Sequence, residues 1–345
     1  MTCTSEHSSL LFYPFFYPWD IIFLSDDQKQ KVIALMEEIT TRLRNLISRS
    51  EGLTVILTGT NISLLRKVAE NVPELVENIP PRVSDVMIVD PKGEDIGINE
   101  IRDIENFLAY SPEVYERKYV IVHECEKMTI QSANAFLKTL EEPPRYGVII
   151  MDTKYWSYLL PTIRSRGVKV NVQVPQSIFE DLKEKFKEHY KLVSLIVEHD
   201  FDILEELKKL TERDISKKLE KISSEDASKL VKRSLERGTL ESYLASMELI
   251  KRFAEADREE FVLLYGDITE KVSGKELFHL LKKLCWISEW LIMLEGKDKS
   301  PDLVESIRFL DSITRMKIAN LNNNLTLMNL MIVMREAMRS DKVWS

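Results

Sequence analysis

A chain of 345 residues is long enough for two or three domains of ~100–200 residues each, and with 44% hydrophobic and 30% charged residues it is neither disordered nor collagen-like. Its 48 basic and 56 acidic residues leave a net charge of −8, which gives no global attraction for phosphate, so any nucleic-acid contact is local or comes through partners. Three scattered cysteines, Cys3, Cys125 and Cys285, exclude a disulfide scaffold and a four-cysteine zinc module and fit a reducing cytoplasm.

Leu10 to Leu24 is apolar and aromatic, but Pro14, Pro18 and Asp20 break it before the ~18 residues of a membrane span. No basic residue precedes it, so it lacks the start of a signal peptide. Residues 1–27 read as a poorly ordered tail, with Met36 or an upstream site as an alternative start; a docked N-terminal segment is the other reading. From Lys31, Val32, Leu35, Met36, Ile39, Leu43, Leu46 and Ile47 recur at helical spacing up to Gly52. Five apolar runs follow: Thr54–Thr58, Asp85–Asp90, Lys118–His123, Gly147–Asp152 and Val168–Val174. The middle three are almost wholly apolar, as expected of strands covered on both faces. Helical patterns lie between most of them, with Ile101, Ile104, Phe107 and Leu108 on one face and Ala133, Phe136, Leu137 and Leu140 on another. Strand and helix in alternation predict a parallel α/β sheet. After Pro175 the chain is helical in period throughout. The predicted domains are an α/β unit over 28–175, a helical segment over 176–238 and a second over 239–345.

The loop after the first strand is where a phosphate cradle would sit, and it requires glycines, a lysine and a Ser/Thr. It reads Gly59-Thr60-Asn61-Ile62-Ser63-Leu64-Leu65-Arg66, with one glycine and no GK[ST], and Arg66 lies about two turns too far along. The Gly274-Lys275 pair is followed by Glu276 and has Thr269 where the first glycine belongs. The third strand ends His123-Glu124, where an acidic pair would hold Mg²⁺; His123 is a weak partner for that cation and reads as a sheet-edge residue with a satisfied hydrogen bond. His123-Glu124 opens a HExxH string whose second histidine is replaced by Lys127, at a strand end rather than in a helix, which excludes a zinc protease. His189, His199 and His279 show no second ligand at metal spacing. Trp286, Trp290 and Met293 form a core or interface stripe, and Lys208-Lys209 and Lys217-Lys218 read as ordinary helix surface. No metal and no cofactor is expected.

Gln131 to Pro144 reads QSANAFLKTLEEPP, a strand follows at 147–152, and then comes Pro161-Thr162-Ile163-Arg164-Ser165-Arg166-Gly167. Together with the strand before His123, these blocks resemble the clamp-loader subunits of the AAA+ class, and within it the DNA polymerase III delta-prime and gamma-related subunits. Phe309 to Met331 is similar to the family's final helices. The resemblance implies an AAA+/RecA-like five-stranded parallel sheet, an all-α lid and an all-α collar that oligomerises. It implies a non-hydrolysing subunit whose partners are the gamma/tau ATPase subunits and the delta subunit, with the sliding clamp and primed DNA met through the assembly. Arg166 then corresponds to an arginine finger entering a neighbour's ATP site, supported by Ser165, Arg164 and Glu124. In an extended segment Arg164 would share a face with Arg166, and an ion pair is its simpler reading. Gly59, Thr60, Asn61, His123 and Thr153 are the relics of a nucleotide site, Thr153 standing just past the fourth strand where a γ-phosphate sensor belongs. Two departures stand out: the family's zinc-binding cysteines are missing, and Gly167 replaces the cysteine that closes Ser-Arg-Cys. The alternatives are an ATPase-active gamma-like subunit using Arg66 and Glu124, and a scaffold without a finger.

Overall fold

In the computed structural model the described residues are 39, 41–79, 84–91, 94–236, 238–272, 274–295, 301–315 and 322–339. The expected tail over 1–27 lies outside them. The chain divides into two compact units, Met1–Asp181 and Leu182–Ser345.

The first unit opens with helix α1 (41–49). Then strands and helices alternate: β1 (Leu53–Thr58), α2 (Ile62–Glu77), β2 (Val86–Val89), α3 (Ile98–Leu108), β3 (Lys118–Val122), α4 (Ile130–Glu141), β4 (Gly147–Thr153), the single turn α5 (Pro161–Arg164), β5 (Val168–Asn171) and the first residues of α6 (Gln176–Lys185), which runs past Asp181. All strand pairs are parallel and the order is β2-β3-β4-β1-β5. Every residue of β1, β3 and β4 is buried, so the unbroken apolar runs LTVILT, KYVIV and GVIIM do read as strands covered on both faces. The second run departs from that expectation. It is an edge strand, only Val89 is buried, and Ile88 is 43% exposed. The helix faces are as the periodicity predicts: Ile101, Ile104 and Leu108 of α3 and Ala133, Phe136 and Leu140 of α4 join Val120, Val122, Ile149 and Met151 in one core.

The second unit is helical: α7 (Tyr190–His199), α8 (Ile203–Lys209), α9 (Glu212–Ser223), α10 (Ala227–Ser234), α11 (Leu240–Glu255), α12 (Arg258–Lys271), α13 (Gly274–Glu295), α14 (Pro301–Arg315) and α15 (Asn323–Arg339). Arg233 of α10 grips Glu225 through two nitrogens at 2.7 and 2.8 Å and also reaches Glu241 of α11. Lys218 of α9 joins the same Glu241. These bonds run across Gly238, the boundary expected between the two helical segments. Trp286 of α13 stacks on His199 of α7 with 3.7 Å between ring centroids, so that part of the aromatic stripe is internal packing. Among the described residues no helix is long and apolar enough to cross a membrane.

Candidate functional site

In an open parallel sheet, ligands bind beyond the carboxyl ends of the strands, where the strand order switches direction. Here that place lies beyond β1, β3 and β4. The link from β1 to α2 is only residues 59–61. Gly59 is required by the sheet itself, because a Cβ there would run into the backbone oxygen of Val172 beyond β5. Asn61 is buried and caps α2: its Oδ1 accepts from Leu64 N and from Ser63 Oγ, both at 2.9 Å. The Leu64 amide of that helix end is therefore committed to a side chain of the chain itself. Thr60 is exposed at the tip of the link.

His123, directly after β3, is fully buried. It stands beside a central strand and not at the sheet edge, because β3 is flanked by β2 and β4. Its Nδ1 bonds Asp152 Oδ2, and its Nε2 lies 3.0 Å from Glu70 Oε1 of α2. Burial alone would drive the proton off this imidazole; the bonds to Asp152 and Glu70 outweigh it and hold the group up at about 9. His123 is therefore an internal cation at neutral pH. Glu124 has a left-handed backbone with φ 47°, a conformation a non-glycine residue keeps only under tertiary constraint. The constraint is visible: its amide donates to Asp152 Oδ1 at 2.9 Å, and its carboxylate meets Arg66 at 2.7 Å and Lys127 at 2.5 Å. Burial opposes the Glu124 charge, but these two cations hold its carboxyl below the usual range. Arg66, two turns along by sequence spacing, reaches back to the strand ends and also forks onto Asp90 through two bonds of 3.0 Å. Thr153 is the last residue of β4, not a residue beyond it, and is fully buried; its Oγ1 accepts from Tyr155 N. Beside it, Glu126 has a buried Oε2 without a hydrogen-bond partner, and burial pushes its carboxyl up to about 7.

The Arg164–Gly167 segment is elsewhere on the same unit. Arg164 ends the helical turn α5, so it does not share an extended face with Arg166; its Nε is buried and has no hydrogen-bond partner. Ser165 Oγ donates to Thr162 O at 3.0 Å. Arg166 donates to Thr162 O at 2.8 Å and pairs with Glu141 at the end of α4 at 3.2 Å, with side-chain exposures of 25% and 59%. Gly167 leaves no room for a side chain, because a Cβ would come within 2.6 Å of Ile56 Cδ1 on β1. Ile56, fully buried, fills the space that a closing cysteine would take. Gly167→Cys is therefore expected to destabilise the unit by about 1–3 kcal/mol through overpacking, and adding Ile56→Ala should cost less than the sum of the two single changes. Urea titration of the four chains of this cycle checks it; strict additivity would sink the packing account.

The fold thus brings Glu124, His123 and Thr153 together with Arg66, and leaves Arg166 with Ser165 at a separate surface. Sequence reasoning missed Asp152, Asp90, Glu70 and Glu126. The acids closing GVIIMD and DVMIVD were the available signal for the first two. In the second unit the fold also overturns the isolation of His189, which it places with Glu188 and Glu212.

Two family models match the chain. Residues 76–176 match the family model described as DNA polymerase III, delta subunit, and residues 249–336 match the C-terminal domain of DNA polymerase III gamma subunit-related proteins. The delta-prime subunit of DNA polymerase III from Haemophilus influenzae is 39% identical over 95 residues, 27% of this chain. The tau subunit from Bacillus subtilis is 37% identical over 84 residues, 24% of this chain. These matches span only 29% and 15% of those relatives. The crystal structure of a DNA polymerase III gamma subunit-related protein from Thermotoga maritima is 44% identical, with a TM-score of 0.69, over 86% of this chain and 99% of that one.

Proposed function

We propose, for a chain that belongs to the DNA polymerase III clamp-loader family of delta-prime and gamma-related subunits, that it serves as a non-hydrolysing member of the loader and lends Arg166 to the ATP site of a neighbouring subunit. The observation that carries the reading is the internal neutralisation of the strand ends. Metal-assisted phosphoryl transfer needs free carboxylates for Mg²⁺ and a ring of backbone amides for phosphate. Here Glu124 and Asp90 are bound to Arg66, Asp152 is bound to protonated His123, and the first amides of α2 are reached through a three-residue link capped by Asn61. A histidinium occupies the place of the metal's charge. The helical residues 176–238 would then be the lid and 239–345 the collar. The collar reading is supported by α15, which exposes Leu325, Met328 and Ile332 in one stripe, and by Val262 and Leu263 of α12, which are 66% and 69% exposed. Gamma/tau-type ATPase subunits and a delta subunit are the proposed partners, with the clamp and primed DNA reached through them in the cytoplasm.

The rival reading, an ATPase-active gamma-like subunit, draws on the 44% identity to a gamma-related protein. Its cradle would need Arg66 and Glu124, which are spent on each other. Equilibrium dialysis of the isolated chain against ATP and Mg²⁺ separates the two. The expected result is no saturable binding below about 1 mM, a standard free energy no better than about −4 kcal/mol. Micromolar binding would reverse the assignment.

A further inference from the structure

The second unit carries a constellation that the clamp-loader reading does not use. Glu188 and His189 stand in the turn before α7, and Glu212 is the first residue of α9. One ring nitrogen of His189 and one carboxylate oxygen of each glutamate lie within 4.8 Å of one another. The two oxygens of Glu212 have different fates. Oε1 accepts from the backbone amides of Glu188 and His189 at 3.1 and 3.2 Å, which fixes the carboxylate against the turn. Oε2 is buried and has no hydrogen-bond partner. A buried carboxylate oxygen without a partner is costly, and a cation is the group that would satisfy it.

The imidazole is prepared in a complementary way. Ser216, one turn along α9, gives its single hydroxyl proton to Glu212 O at 3.2 Å. Its Oγ can then only accept from His189 Nε2, 3.0 Å away. With the hydroxyl so directed, Nε2 is the ring nitrogen that donates to Ser216, which leaves the Nδ1 lone pair for a ligand. A hydrogen bond from the other ring nitrogen is the usual companion of a metal-ligating histidine.

We infer that Glu188, His189 and Glu212 form a binding site for a first-row divalent cation of the zinc class, which ties α9 to the turn before α7. One imidazole with two carboxylates suits zinc, cobalt or manganese, whereas magnesium and calcium prefer oxygen alone. The inference is independent of the clamp-loader reading.

The test is titration of the full chain with Co²⁺ and with Zn²⁺, read by visible d–d absorption for the first and by calorimetry for both. One equivalent is expected to bind. Glu212→Gln keeps an oxygen for the two amides but removes the charge, and His189→Ala removes the imidazole; each should abolish the absorption band and weaken binding at least about 10-fold. Ser216→Ala, which touches no metal, should weaken it by about 10–100-fold through loss of the oriented tautomer. Far-UV circular dichroism of the metal-free variants must match the parent, and a variant that does not is replaced by Glu188→Gln, which carries the same expectation of weakened binding. Absence of saturable binding, or binding that the variants leave unchanged, would overturn the site.

Discussion

Under the proposed finger role, Arg166→Ala is expected to lower ATP turnover at the neighbouring site by about 10³-fold, the lower end of what an arginine finger contributes. Turnover of the whole reconstituted loader should fall by that site's share. The size of the effect follows from chemistry. A planar, permanently charged guanidinium matches the charge spread over the transferring phosphoryl oxygens, and a lysine does not reproduce the fork, so Arg166→Lys should not rescue. In the isolated chain Arg166 rests on Glu141 and on the Thr162 carbonyl. An ion pair this exposed contributes ~0–1 kcal/mol, so it releases readily to a phosphate. Two consequences follow. Arg166→Ala should leave the stability of the isolated chain within about 1 kcal/mol of the parent, so lost turnover cannot be blamed on unfolding. Glu141→Gln should leave turnover equal or higher, since it removes only the competing carboxylate. DNA-stimulated phosphate release by the loader reconstituted with each variant checks both. Normal turnover with Arg166→Ala would remove the finger and leave a scaffold.

Legibility differed by element for a physical reason. The faces of α3 and α4 and the buried strands β1, β3 and β4 were readable because side-chain period and apolar run length report which faces meet the core. That β2 is an edge was not, since VMIV carries no mark of its neighbour count. That the β1–α2 link Gly59–Asn61 holds one glycine and no lysine was plain in the sequence. The ion-pair network at the strand ends was not. His123 is joined to Glu70 and Asp152, residues 53 and 29 positions away, and only the order β3-β4-β1 with α2 above it makes them neighbours. The same holds for Gly167. Its departure from the family's cysteine looked like a loss, yet Ile56 on β1 compensates from 111 positions earlier in the chain. A resemblance located the segments; the pairings that decide their chemistry needed the sheet.

The histidinium predicts an alkaline weakness. His123 titrates near 6.5 when unfolded and at about 9 when folded, so between these values the native state binds more protons than the unfolded one. Its contribution is fully present below about pH 6.5 and is lost as pH rises through about 9, a decline of about 3 kcal/mol over that window. Glu126 runs the same way one window lower. With its carboxyl pushed up to about 7 from about 4.5, its contribution fades between those two values. Hydrogen exchange of the β3 and β4 amides in the full chain reads the stability of this unit without interference from the helical one. The expected profile falls from pH 5 to 9 in two steps, the lower removed by Glu126→Gln and the upper by His123→Ala. The second substitution should also cost about 3–5 kcal/mol at pH 6, because it leaves the fully buried Asp152 carboxylate without its cation. Asp152→Asn in the same chain should recover a large part of that loss, since it removes the orphaned charge while keeping an oxygen for the Glu124 amide. A flat response between pH 6.5 and 9 in the parent chain would mean that His123 is neutral when folded, and the strand ends would then lack the internal cation on which the non-hydrolysing reading rests.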